Sequence, residues 1–348
     1  MVKFVSREII LSRHEPTPLW EFADGFDLRK VTKPGRGAVI AEFIGTGDFA
    51  SQWNERRRYE VDAGRENEPL LYESIYNIVV DPNLPQIVPV YRLGPGGVVF
   101  EEINEGGEVK FVTVGQSNYS IPIRHWAVGL QYSKDLRIYN QLWNVGIVER
   151  QAGVAYNALL NHLHLSPILT ATYGAGNQTD GTALTTFKAS ASMAEKYLRA
   201  VEAAIEASRT DSTNPRRGPY DLLISSSDAF TMERALNRVP QQGFDLQSSA
   251  INLIQNVIVY DGWTGSRGKK STTYAGVTSG KAYLISKGYR ETDFQSMVKQ
   301  SLDMAMGNPD VSRFIEEKTV WDTYLGVYAN PSAAVQEITL PTAGSGAA

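Results

Sequence analysis

From Ser133 onward, Ile138, Leu142, Val145, Val148, Ala152, Ala155, Leu159 and Leu163 recur at intervals of three and four residues, which places them on one stripe of an α-helix. Ser133 supplies an N-cap and Asp135 a first-turn carboxylate. Pro167, which lacks an N–H and clashes with the preceding turn, predicts the end. The helix expected over 133–165 has about 30 residues and a length of roughly 45 Å. Most compact enzyme cores use no rod of that length. The chain has 348 residues, 42% of them apolar, enough for one large domain or two coupled ones.

Residues 1–70 read differently. Gly-, Pro- and charge-rich pieces such as Lys33-Pro-Gly-Arg-Gly37 and Gln52-Trp-Asn-Glu-Arg-Arg-Arg-Tyr59 alternate with short apolar stretches, which predicts an arm that builds no core alone. Its aromatic residues Phe4, Trp20, Phe22, Phe26, Phe43 and Trp53 predict that the arm lies on another surface, its own chain's or a neighbour's; a small irregular subdomain is the plain alternative. Val98-Val-Phe-Glu-Glu-Ile103 and Glu108-Val-Lys-Phe-Val-Thr-Val114 flank Asn104-Glu-Gly-Gly107, the grammar of a long β-ribbon with an acidic tip. Two strands alone are marginal in water, so a ribbon over 98–118 implies a surface that covers it. A further strand spans 124–132.

After the long helix, Ser192-Met-Ala-Glu195 is a capping box that starts a second helix carrying Tyr197, Leu198, Val201 and Ile205 on one face. The polar stretch 209–219 marks the passage into a second, α/β domain. Its elements are a strand at 221–225, a helix at 227–238, a strand at 256–260, a Gly-rich loop and a strand at 281–285. Extended segments near 294–304 and 313–328 follow, then a turn at Asn330-Pro331 and a strand over 334–340. Residues 342–348 are small and predict a disordered tail.

The sequence carries no recognisable catalytic constellation. There is no cysteine, which excludes disulfides, thiolate metal sites and Cys nucleophiles. Thirty-four Lys and Arg stand against 38 Asp and Glu, a formal charge of −4 that gives no general attraction to phosphate or anionic lipid. No apolar run reaches the roughly 20 residues of a membrane span, and Arg7 and Glu8 interrupt the one at the start, which therefore does not read as a signal peptide. In Gly265-Ser-Arg-Gly-Lys-Lys-Ser271, Trp263 stands where a phosphate loop needs its first Gly, and Lys270 where it needs a hydroxyl. His162 and His164 diverge by about 200° around a helix axis and cannot share a metal. His125, in a strand, reads as structural, and Ser225-Ser-Ser-Asp228 as a helix cap. No catalytic, cofactor-binding or metal-binding residues are expected.

An arm, a ribbon, a long helix, an α/β lobe and a late long strand, in that order, resemble the Hong Kong 97-type fold of tailed-phage major capsid proteins. The likeness runs from about residue 70 to 340. The residues that carry it are His125-Trp-Ala-Val-Gly-Leu-Gln-Tyr-Ser133 with Lys134-Asp-Leu136 opening the helix, the turn at Gly174-Ala-Gly176, Asp221-Leu-Leu-Ile-Ser225, Lys281-Ala-Tyr-Leu-Ile-Ser286 and Val320-Trp-Asp-Thr-Tyr-Leu-Gly-Val-Tyr-Ala-Asn-Pro331.

The resemblance implies an α+β fold with several parts: an N-terminal arm (1–70), strands and an extended loop (71–132), a peripheral domain with its spine helix (133–217), an axial domain (218–290), long peripheral strands (291–328) and an axial C-terminal strand and tail (329–348). It implies a shell subunit that forms hexamers and pentamers in the host bacterial cytoplasm. The partners would be a scaffolding protein, a portal, a possible decoration protein and non-specifically contacted double-stranded DNA, with no cofactor and no membrane. The short arm leaves no room for a cleaved scaffolding segment, so scaffolding is expected from a separate protein. Lys110 and Asn308 fall in regions that supply an intersubunit isopeptide bond in one crosslinking relative; no crosslink is expected here, because nothing in the sequence fixes an activating carboxylate. The ribbon-tip carboxylates Glu101, Glu102, Glu105 and Glu108, beside Lys110 and Phe111, are expected to meet a neighbouring subunit through Arg56, Arg57 and Arg58 or Lys269 and Lys270. The rivals are an encapsulin-type compartment and a soluble α/β enzyme.

Overall fold

The computed structural model describes residues 3–5, 47–90, 119–133, 143–211, 214–237, 253–267, 270–307 and 315–346. In chain order its elements are strand β1 (Lys3–Val5), helix α1 (Gly47–Glu66), strands β2 (Asn77–Val80), β3 (Ile87–Val90), β4 (Tyr119–Pro122) and β5 (Arg124–Ser133), and helix α2 (Trp143–Thr170). Strand β6 (Gln178–Asp180), helix α3 (Met193–Thr210), strand β7 (Tyr220–Ile224) and helix α4 (Ser226–Leu236) follow. The chain continues with β8 (Ile254–Val259), β9 (Gly262–Arg267), β10 (Lys270–Ala275), β11 (Lys281–Ser286), β12 (Phe294–Gly307), β13 (Ile315–Ala329) and β14 (Val335–Thr339).

A six-stranded sheet has the order β1-β8-β7-β11-β14-β6 and a four-stranded sheet the order β2-β12-β13-β5. Every residue of β7 is buried, as a central strand covered on both faces requires. Alternate side chains of a strand point to opposite faces, and the two faces serve two cores. Leu222 and Ile224 meet Tyr197, Ala200, Val201, Ala204 and Ile205 of α3 and Met232 and Leu236 of α4. Leu223 meets Tyr72, Ile75 and Tyr76 and the α2 residues Leu160, Leu165 and Ile168. Earlier turns of α2 lie with α1 on the four-stranded sheet, where Arg57 of α1 reaches Thr319 of β13. One helix thus carries both sheets.

The capping box forms as expected: Ser192 Oγ accepts from the Glu195 N–H at 3.3 Å. Several other expectations are corrected. Ser133, the expected N-cap, is the last residue of β5, and residues 134–142 lie outside the described residues; the expected end is described, and α2 continues through Pro167 to Thr170. A proline inside a helix costs about 3 kcal/mol. Leu165 and Ile168 are fully buried, and each such side chain contributes about 1.5–3 kcal/mol, which offsets the cost.

The face was misjudged as well. Val148, on the expected apolar stripe, is 43% exposed, whereas Glu149, Asn157, Asn161 and His164 are buried. Polar side chains can be buried when their hydrogen bonds are made, and here they are. Asn157 donates to the Arg65 and Glu68 carbonyls at 2.8 and 2.7 Å. Asn161 donates to the Pro69 carbonyl and accepts from the Leu71 N–H, both at 2.9 Å. These amides satisfy carbonyls that the end of α1 leaves without helical partners.

Residues 47–66, assigned to an irregular arm, form a helix packed along α2. Helix α3, assigned to the long helix's own domain, packs instead on the six-stranded sheet, and β6 joins that sheet beside β14. Within the stretch 209–219, Arg216 is buried and donates to the Gly176 carbonyl at 2.9 Å and Gln336 Oε1 at 2.7 Å. The Gly-rich loop is an antiparallel hairpin, β9 with β10. The expected disordered tail is positioned through residue 346, and Ser345 is buried.

His164 ties α2 to both of its neighbours. Its ring lies 3.6 Å from that of Tyr72, nearly parallel, and Nδ1 donates to the Leu160 carbonyl at 2.7 Å. Nε2 therefore accepts from Ser296 Oγ of β12, at 2.8 Å. Burial lowers its pKa from 6.5 to about 4. The unfolded chain takes up this proton below pH 6.5 and the folded chain only near pH 4, so the contribution is complete above 6.5 and is lost as pH falls toward 4. At 1.36 kcal/mol per unit the loss amounts to about 3 kcal/mol. Denaturant unfolding of wild type and His164→Gln at pH 7 and pH 4.5 should therefore show a smaller pH difference in the variant; equal differences would remove His164 as the source.

Candidate assembly interface

Strands β3 and β4 pair antiparallel, with Val90 opposite Tyr119, so the chain leaves for 91–118 and returns at paired positions. Several contacts seat this root on the four-stranded sheet. Ile121 is fully buried, and a Cβ on Gly326 of β13 would come within 2.7 Å of both Ile121 Cγ2 and the Pro122 carbonyl oxygen. Only glycine permits that approach. The Ile123 N–H donates to the Gln86 carbonyl at 2.9 Å, and Lys299 Nζ to the Leu84 carbonyl at 2.7 Å. The outer side of the root is apolar, with Ile87 61% and Tyr119 53% exposed.

Of the residues expected at subunit contacts, Glu101, Glu102, Glu105, Glu108, Lys110, Phe111 and Lys269 lie outside the described residues, as does Asn308. Lys270 opens β10 and pairs with Arg267 of β9, which places that basic stretch at the far end of the hairpin. The three consecutive arginines of α1, Arg56, Arg57 and Arg58, separate sharply. Arg58 is solvent-facing, 3.9 Å from Asp303 with both side chains about 60% exposed, a pair worth about 0–1 kcal/mol. Arg56 is partly buried.

Arg57 is 1% exposed and cannot meet another subunit, which corrects that expectation. Its Nε donates to Glu149 of α2 and its Nη2 to Thr319 Oγ1 of β13. A run of three arginines on a helix sends its members in directions about 100° apart, so one of them had to point inward; the sequence does not say which. Beside it, Arg150 pairs with the buried Glu60. The carboxylates on α2 and α1 thus serve an internal joint.

The described histidines have structural partners. His125 Nε2 lies 3.1 Å from Asp322 Oδ2 across the β5–β13 pair, and its ring stacks on Tyr324. His162 stacks on Tyr274 of β10, which in turn stacks on Trp263 of β9, so the hairpin lies against α2. Burial lowers the His162 pKa. Ser225 caps α4 by accepting from the Ser227 N–H, and the Ser226 N–H donates to Asp261 at 2.8 Å. Among the described residues no group of His, Asp and Glu could hold a metal ion.

A family model described as phage capsid protein matches residues 118–335. No curated protein matches the sequence. Among solved structures, the capsid of an empty GTA particle is similar, with TM-score 0.50, 12% identity, and coverage of 78% of this chain and 90% of that one. The capsid of the cyanophage P-SCSP1u gives 0.48 at 13% identity, over 78% of this chain and 88% of that one. A virus-like particle from Pyrococcus furiosus gives 0.49 at 13% identity, over 82% and 98%.

The three arginines make a contrast that chemical denaturation can read. Arg57→Met removes the Arg57 guanidinium from the buried Glu149 and should cost about 3–5 kcal/mol, while adding Glu149→Leu should recover most of that loss. Arg58→Ala should cost under about 1 kcal/mol. Equal effects of the two single changes would contradict the assignment.

Proposed function

This chain belongs to the phage capsid protein family and has the Hong Kong 97-type fold, and from that premise we propose that its copies form hexamers and pentamers of an icosahedral shell around double-stranded DNA. It is a structural subunit of the virion, not an enzyme. We assign the six-stranded lobe to the axial domain, and α2 with the long strands to the peripheral domain. The family match favours a phage shell over an encapsulin compartment. A scaffolding protein, a portal and, where one is present, a decoration protein complete the proposed assembly. The wall would meet DNA non-specifically, and a formal charge of −4 suits a container that must not grip phosphates.

The observation that carries the contact reading is the β3–β4 root. It delivers residues 91–118, with their four carboxylates at 101, 102, 105 and 108, from a point locked to the four-stranded sheet. Those carboxylates are proposed to meet basic groups of a neighbouring copy. Arg56, Arg58 and the hairpin end at Lys269 and Lys270 are the candidates; Arg57 is not. Individual exposed pairs are weak, but a shell repeats each contact many times, and charge registry directs association.

Replacing Glu101, Glu102, Glu105 and Glu108 with Lys should leave circular dichroism unchanged while particle formation, followed by electron microscopy and light scattering, fails or becomes strongly salt-dependent. Normal particles from this variant at both low and high salt would rule out the electrostatic contact.

A further inference from the structure

Lys196 on α3 is 1% exposed, and its ammonium group donates all three protons to carbonyl oxygens: Ala189 at 2.8 Å, Ala343 at 2.7 Å and Ser345 at 2.7 Å. Two of these acceptors belong to the segment after β14. That segment is folded back on itself, because the Thr342 N–H donates to Ser345 Oγ at 3.0 Å and the Ser345 N–H to the Thr342 carbonyl at 3.1 Å. Its far end is pressed onto residues 187–189. Gly346 has φ +120°, and a Cβ there would lie 2.8 Å from the Ala189 nitrogen and 2.9 Å from the Phe187 ring. Phe187 is buried, with the Lys196 ammonium 5.9 Å from its ring centroid. A loose tail would show none of this: no buried cation aimed at it, no closed turn and no left-handed glycine at the point of contact.

We propose that residues 341–346 form a strap latched by Lys196, and that the latch makes a subunit's fitness for assembly depend on the strap. A buried ammonium needs its acceptors, because an uncompensated charge in the interior is far more costly than a missing neutral hydrogen bond. A copy without the strap leaves two of the three N–H groups with no carbonyl. The strain falls on the first turn of α3, where Tyr197 and then Ala200, Val201 and Ala204 begin the contact with the six-stranded sheet. Loosening that turn loosens the core that α3 shares with α4. Strapless copies are therefore unstable and excluded from the particle. The strap itself is almost without apolar side chains, so Lys196, not hydrophobic burial, reads its presence.

The test uses the full chain, a truncation after Leu340, Lys196→Met in each, and Gly346→Val in the full chain. Thermal unfolding of the truncation should fall by roughly 5 °C or more, and Lys196→Met within the truncated chain should restore most of that drop. In the full chain Lys196→Met should have a smaller effect than the truncation, since the methionine removes the charge along with its need. Gly346→Val keeps every strap residue but strains the backbone, so it should speed amide exchange in the first turn of α3 even if the truncation proves insoluble. The exclusion claim rests on the shell reading: coexpressed with full-length chain, truncated copies should be depleted from purified particles.

A truncated chain with unchanged melting temperature overturns the proposal. So does a truncation that Lys196→Met fails to rescue, or a Gly346→Val variant with unchanged exchange. If the full-length chain forms no particles at all, the shell reading fails while the melting and exchange experiments still judge the latch.

Discussion

Helices α1 and α2 approach so closely that backbone meets backbone. A Cβ on Gly64 would lie 2.1 Å from the Arg150 carbonyl oxygen, and one on Gly153 would lie 2.1 Å from that of Val61. This contact places the Arg57–Glu149 pair between two helices and a sheet, and the rest of the structure is hung from it. Contacts 92 residues apart recur along the pair, at Arg57–Glu149, Arg65–Asn157 and Pro69–Asn161, so the two helices run parallel. Sliding α1 by one turn would set Val61 opposite Glu149 and bury an unpaired carboxylate, an arrangement costing several kcal/mol. Polar side chains here contribute uniqueness of alignment as much as stability.

Because α2 is shared, the joint couples regions far apart in the chain. The matched family segment begins at residue 118 and so omits α1, yet Arg57 of α1 bonds to Glu149 and Thr319 inside that segment. The N-terminal helix is thus part of the body on which the two sheets rest. At the other end of α2, His164 joins the segment carrying Tyr72 and Tyr76 to β12 through one ring. A subunit built this way moves its two sheets together with the helix between them.

Much of this was legible before any coordinates. The capping box at Ser192, the apolar runs at 221–225 and 281–285 and the long strands on either side of residue 310 are local signals, and local physics decides them. The buried face of α2 was not legible, because periodicity scores apolar residues, and this face is built from Glu149, Gly153, Asn157 and Asn161. Their burial depends on carbonyls and an arginine about 90 residues away in sequence, a relation that no window along the chain contains. The same holds for the tail, where small polar residues suggested disorder and a distant lysine supplied the order. Of the expected contact residues, Arg58 is exposed and its neighbour Arg57 buried, a separation that the sequence could not make, since the inward direction of a helix is set by what it packs against.

The pairing of Val90 with Tyr119 has a bearing on how such chains can vary. With the two ends already held together by the root's own hydrogen bonds and by Ile121 against Gly326, the entropy of closing the intervening segment grows only with the logarithm of its length. Each doubling costs about 0.6 kcal/mol. The root therefore insulates the subunit's folding from whatever lies between residues 91 and 118. Insertions, deletions and wholesale changes of charge can accumulate there while the body that carries the root keeps its stability.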